Sequence, residues 1–190
     1  MKYKILKLGL LLATLCGAAS AVSIAYVPKA APGDTATAGV GKQWPTTRFV
    51  VNGNCVTDNL TGLMWAESAN LFGSKKWQDG TSPNYTYPAQ EAVGAMNSSD
   101  PSATGYHLCG YSDWRLPNQK ELLSLLNYAT PAGKQYLWLN QSFTDVQQNR
   151  YWSSTAYDST NAWFVNMLNG ATGKTTMTSG GYVWPVRGGK

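Results

Sequence analysis

Apolar and polar residues alternate at both ends of the folded part of this chain, and a wider apolar spacing occupies its middle. Arg48-Phe49-Val50-Val51, Asn52-Gly53 and Cys55-Val56 together have the form of a hairpin, because Asn-Gly readily adopts the left-handed angles of a tight turn. Residues 58–62 make a second turn into Leu63-Met64-Trp65, and residues 73–87, rich in Gly, Ser, Pro and Asn, read as a loop. Residues 88–97 predict a helix that starts on Pro88 and places Ala92, Val93 and Met96 on one face. A second helix is signalled by Asn118 as its cap, Glu121 three residues on, and the stripe Leu122, Leu123, Leu125 and Leu126. Strand-like patterns follow at 151–155, 162–168, 174–178 and 182–186, with a turn at 170–173. Strands at both ends with two helices between them predict an α+β domain of antiparallel strands rather than a parallel βαβ sheet.

The N-terminus follows a different pattern. Lys2, Lys4 and Lys7 precede an apolar run over residues 8–19, and Ala19-Ser20-Ala21 supplies small residues where a signal peptidase reads them. Residues 1–21 therefore read as a cleavable signal peptide, and the protein as exported to the periplasm, the outer surface or the medium. An uncleaved anchor is the competing reading, since no charge occurs from Leu8 to Pro28, but Gly, Ala, Ser and Thr dilute that stretch. Lipid attachment at Cys16 is weaker still, because Leu15 stands where processing wants a small residue. Residues 22–43, rich in Ala, Pro, Gly and Thr, read as a flexible linker, and residues 44–190 as one domain with no membrane span of its own.

Cleavage changes the electrostatic picture. Three of the fifteen basic residues and none of the ten acidic ones leave with the leader, so the net charge of +5 falls to +2. Without a basic cluster this balance gives no footprint for nucleic acid. Cleavage also leaves two cysteines, Cys55 and Cys109, which an oxidising compartment is expected to pair. Such a bridge stabilises by roughly 4 kcal/mol on chain-entropy grounds.

Three segments carry a resemblance. Residues 55–65 (CVTDNLTGLMW), Cys109-Gly110-Tyr111-Ser112-Asp113-Trp114-Arg115-Leu116-Pro117 with Glu121-Leu122, and Tyr151-Trp152-Ser153-Ser154-Thr155 with a terminal Val186-Arg187 are together similar to the Lcl C-terminal domain family, the tail domain of a collagen-like bacterial adhesin. The resemblance implies a compact α+β fold like those of C-type lectins and sulfatase-modifying factors, at the surface of Gram-negative cells. For the adhesin it implies binding of sulfated glycosaminoglycans by a trimer. This chain has neither the collagen-like stalk nor an obvious basic cluster, so the fold and compartment are what transfer.

Asp113, Trp114, Arg115, Leu116 and Pro117, with Glu121 and Trp152, read as structural: the charges hold a strand-to-helix corner while Trp114 and Leu116 enter the core. Ser153 and Thr155 are expected on the face opposite Trp152. His107 lies two residues from Cys109, but a bridged Cys109 cannot be a nucleophile. No nucleophile elbow, phosphate loop or zinc spacing is present, and the acidic residues, Asp58, Asp79, Asp145 and Asp158 among them, nominate neither a glycosidase pair nor a calcium site. The chain is read as a non-enzyme that needs no cofactor or metal. Eight Trp and eleven Tyr point instead to binding. Trp65, Trp114, Trp152, Trp163 and Trp184 are expected in the core, while Lys75, Lys76, Trp77, Tyr85, Tyr87, Trp138 and Tyr157 in loop-like stretches are the candidates for contact with a glycan or protein partner. A structural component of the envelope or a surface appendage that packs into homo-oligomers is the alternative, and an enzyme of the sulfatase-modifying type, which needs a free reactive thiol, ranks below it.

Overall fold

The computed structural model describes residues 47–128 and 136–188. Residues 1–46, which take in the stretches expected to be signal peptide and linker, lie outside them. Among the described residues nine strands form two sheets: β1 (Phe49–Asn52), β2 (Cys55–Asp58), β3 (Leu63–Ala66), β4 (Ser74–Lys76), β5 (Arg150–Ala156), β6 (Asn161–Asn166), β7 (Thr172–Thr176), β8 (Gly180–Tyr182) and β9 (Val186–Gly188). The four-stranded sheet runs β1-β2-β3-β9 and the five-stranded one β4-β8-β5-β6-β7. Helices α1 (Pro88–Met96) and α2 (Gln119–Ser124) lie between the fourth and fifth strands in sequence, so the domain is α+β as the pattern predicts.

Local chemistry explains most of the elements. Asn52 pairs with Cys55 across a two-residue loop, and Gly53 supplies the positive φ of 59° that such a loop demands. Helix α1 begins on Pro88, whose missing N–H costs nothing at that position, and Glu91 turns back to accept from the Tyr87 N–H at 2.9 Å. Its buried face is Ala89, Val93 and Met96. Helix α2 has a complete capping box, with Asn118 Oδ1 accepting from the Glu121 N–H at 2.9 Å and Glu121 Oε2 accepting from the Asn118 N–H at 2.7 Å.

The core has two parts. One gathers Val56, Trp65, Leu122, Leu125, Tyr151, Val165, Trp184 and Val186 between the four-stranded sheet and α2, and the other gathers Trp77, Val93, Met96, Trp114, Leu116, Trp152, Ala162, Met177 and Val183 under α1. Strand β5 serves both because alternate side chains leave opposite faces: Tyr151 enters the first core and Trp152 the second. The aromatic centre of the first core is edge-on, with Trp184 5.6 Å from Trp65 and 5.0 Å from Phe143 between ring centroids. In the second, Trp152 passes over Gly181, where a Cβ would sit 2.7 Å from its Nε1, and donates to the Lys75 carbonyl at 2.8 Å.

Five expectations need correction. The strand pattern at 182–186 is two strands in different sheets, because Trp184 dives into the core and Pro185, lacking an N–H, ends the ladder. The loop at 73–87 contains β4, which pairs with β8 through backbone bonds that its Ser-Lys-Lys composition does not advertise. Not every pair is antiparallel, since β5 meets β8 in parallel at Tyr151 and Tyr182. Trp163 is only half-buried, whereas Trp77 is 6 % exposed, with its indole donating to the Ser153 carbonyl at 2.9 Å.

Arg48 and Asp58 form a buried ion pair, bidentate at 2.9 and 2.8 Å, and Arg48 also donates to the Ser124 carbonyl at 2.6 Å. Asp58 in turn accepts from the Leu60 N–H and the Thr61 hydroxyl, so the pair ties the first hairpin and its turn to the end of α2. Removing one partner leaves a buried charge without its counter-ion. Asp58→Ala is expected to cost about 3–5 kcal/mol in urea unfolding, and the double replacement Arg48→Met/Asp58→Leu to cost less than Asp58→Ala.

Candidate functional site

Residues 113–117 run extended between the two sheets. Arg115 exchanges two backbone hydrogen bonds with Val186 of β9, at 2.9 and 3.0 Å, and the Pro117 carbonyl accepts from Ser154 N–H of β5 at 2.8 Å. The Asn97 side chain, at the end of α1, clamps the Trp114 backbone from both sides, donating to its carbonyl at 2.7 Å and accepting from its N–H at 2.8 Å. Arg115 forks onto Glu121 at 2.7 and 2.8 Å and reaches the Gly188 carbonyl at 2.9 Å. Asp113 accepts from Arg187 at 2.6 and 3.1 Å, while that guanidinium lies 3.6 Å from the Tyr111 ring centre. Trp114 and Leu116 are buried, as the alternation required. The Arg187 hydrogen bond holds the Asp113 carboxyl below its ordinary pKa.

Upstream, the disulfide between Cys55 and Cys109 fastens this segment's approach to β2, across a sequence separation of 54. His107 and Cys109 adopt positive φ values of 41° and 54°, a conformation that non-glycine residues hold only when their surroundings enforce it. Neither thiol is free for chemistry, and His107 stacks on Tyr106 at 4.0 Å.

Two surfaces result. The first is a groove of about 430 Å³ between α1 and the extended segment. Its floor is Val93, Gly94, Trp114 and Leu116, and its rim Gln90, Arg115, Asn118 and Ser154. The second is a loop face at one end of the five-stranded sheet. Met177, just after β7, accepts from the N–H groups of Trp77 and Gln78 and donates to the Thr160 carbonyl, so the segment after β4 and the β5–β6 turn meet there. Tyr157, 46 % exposed, packs edge-on against Trp163 at 5.1 Å and carries the Lys174 ammonium 3.7 Å from its ring centre. Trp163 and Lys174 face each other across β6 and β7. Asp158 on that turn is held at a pKa of about 2, first by the Thr160 N–H and then by the Asn161 side chain.

The candidates read from the sequence divide accordingly. Tyr85 is exposed, and an antiparallel bridge between Asp79 and Thr86 holds its loop. Lys76 pairs with Asp79 at 3.0 Å, whereas Lys75 is half-buried. Trp77 is a core residue, and half-buried Tyr87 packs edge-on against it at 5.8 Å. The side chain of Trp138 lies outside the described residues. Asp58, Asp79, Asp145 and Asp158 are not brought together, and among the described residues no group of three or more His, Cys, Asp or Glu could hold a metal. Sequence reasoning missed Lys174 and the exposed part of Trp163, which an alternating strand pattern hides, and it read the groove residues Trp114, Leu116 and Asn118 only as core or cap.

These features define an α+β domain, clamped by one disulfide, that presents a groove and an aromatic loop face. The chain belongs to the Lcl C-terminal domain family, whose model matches residues 54–187, from the first turn to β9. No curated protein matches it.

The Asp113–Arg187 pair carries a pH signature. A carboxyl whose folded pKa is depressed contributes stability that is complete above its unfolded value and disappears as the pH falls through the folded one. The stability difference between the native chain and Asp113→Asn is expected to be constant above about pH 5 and to shrink below about pH 4, read from urea midpoints.

Proposed function

We propose that this chain is a non-enzymatic recognition module, exported to the cell envelope or beyond, that holds a glycan or protein partner at its loop face. The observation that carries the reading is the convergence of Tyr157, Trp163 and Lys174 where the β5–β6 turn meets β7. A half-exposed ring offers an apolar face to a sugar or a side chain, and the ammonium beside it favours a ligand carrying negative charge. Backbone bonds through Met177 fix both loops, so little ordering entropy is lost on binding. The bridged cysteines and dispersed carboxylates are consistent with binding without turnover. A fold like that of the C-type lectins, which the resemblance implies, would suit the same role.

A second reading, packing into homo-oligomers as an envelope component, is favoured by β1. Val50 and Val51 on this edge strand are 42 % and 48 % exposed, and Phe49–Asn52 contains no Lys or Pro to discourage pairing with another chain.

Residues 22–190 with the disulfide intact are expected to be retained on a panel of immobilised neutral and sulfated glycans without consuming them. Tyr157→Ala should weaken retention about tenfold and Lys174→Ala should flatten its salt dependence. Retention unchanged by either substitution would move the site elsewhere. Absence of retention, joined by concentration-dependent sedimentation that Val51→Lys abolishes, would favour the oligomeric component.

A further inference from the structure

The four-stranded sheet ends on β1, and among the described residues no strand lies beyond it. Asn52 and Cys55 flank the two-residue turn, and the Asn59 N–H donates to the Arg48 carbonyl at 2.8 Å, so the hydrogen-bonded pairs fall at Asn52, Val50 and Arg48. That alternation turns the Val51 N–H and carbonyl away from β2, toward the open side. The edge is apolar on both faces of the sheet. Val50 is 42 % exposed in one row with Thr57 and Met64, and Val51 is 48 % exposed in one row with Val56 and Trp65. Natural sheet edges are blunted by charge, by proline or by a cover. Phe49–Asn52 carries neither charge nor proline, which leaves a cover.

The chain itself supplies one. Cleavage after Ala21 frees an end that reads Val22-Ser23-Ile24-Ala25-Tyr26-Val27, an uncharged run in which β-branched and aromatic residues predominate and which Pro28 closes. Residues 28–46 join it to Thr47, just before β1. Fully extended, that connection reaches roughly 60 Å, against about 13 Å for a strand of four residues. The run is therefore able to turn back along β1. A segment tethered this closely meets the edge at an effective concentration on the order of millimolar, which a second copy of the chain has to exceed to displace it.

We propose that residues 22–27 of the mature chain add to β1 of the same molecule as the next strand of the four-stranded sheet, pairing with the Val51 N–H and carbonyl and covering Val50 and Val51. Strand side chains alternate between faces, so Ile24 and Tyr26 cover one valine and Ala25 and Val27 the other. The proposal rests on export with cleavage, and it goes beyond the binding reading, which uses neither β1 nor residues 22–27. It competes with pairing of β1 between copies.

The test expresses the full chain with its leader, recovers it after export, and follows amide hydrogen exchange by NMR at several protein concentrations. The comparison chain is Ile24→Pro/Ala25→Pro, in which adjacent prolines remove one N–H from each side of the added strand. The expected intact mass begins at Val22. Val51 is expected to exchange on the order of 100-fold more slowly in the native chain than in the proline variant, at every concentration, while Val56 and Trp65 stay protected in both. A chain that keeps residues 1–21, a Val51 amide exchanging at the unprotected rate, or equal protection in the two chains would each overturn the proposal. Protection that appears only where sedimentation shows dimers would also overturn it, and would assign the edge to a second copy. The glycan panel reads Tyr157 and Lys174, so the two tests fail separately.

Discussion

Two sheets that share no strand must be held in one relative position, and beside their common core and the 183–185 crossover the extended segment at residues 113–117 hydrogen-bonds to both. Its Arg115 backbone adds it to the four-stranded sheet at Val186, and its Pro117 carbonyl takes the Ser154 N–H from the five-stranded sheet. Each of its neighbours then depends on its position. Asn97 caps α1 against its Trp114 backbone, Arg115 anchors the carboxylate that completes the α2 capping box, and Trp114 and Leu116 fill the core beneath α1. A sheet edge that would otherwise be open at β9 is closed by the same contacts.

The charges along this segment position it and contribute little Coulombic energy. The Arg115 and Asp113 side chains are 42 % and 58 % exposed, so solvent screens their ion pairs. What the forked contacts add is direction, since a guanidinium that meets a carboxylate with two parallel bonds permits one orientation of both groups. The buried Arg48–Asp58 pair works differently. It ties the first hairpin to α2 in a setting where loss of either partner is costly. The disulfide belongs with these constraints, since it fixes the left-handed turn at residues 107–109 and so the direction in which the chain enters residues 113–117.

Local signals in the sequence were readable where the chemistry is local. The Pro88 helix start and the Asn118–Glu121 capping box each follow from a few adjacent residues and form as expected, whereas the expected hairpin turns on Gly53-Asn54 with Asn52 still in β1. The Asp113–Pro117 corner was legible as structural because it joins opposite charges to large apolar side chains. Pairing between distant segments was not readable. Ser-Lys-Lys becomes β4 only because β8 offers its edge, and Trp77 is buried because the Ser153 carbonyl lies within its reach. The surfaces were hidden for the same reason. Tyr157 was visible as a loop aromatic, but Lys174 joins it only through the β6–β7 register, and the groove draws on residues 90–94, 114–118 and 154, which no spacing rule connects.

Native-state hydrogen exchange on the amides of Arg115, Val186 and Ser154 tests most directly whether this segment unites the two sheets. The account predicts that all three open together, with a single free energy close to that of global unfolding. If Ser154 exchanges through a separate, lower-energy opening while Arg115 and Val186 stay protected, the sheets are held together elsewhere and residues 113–117 are a connection only.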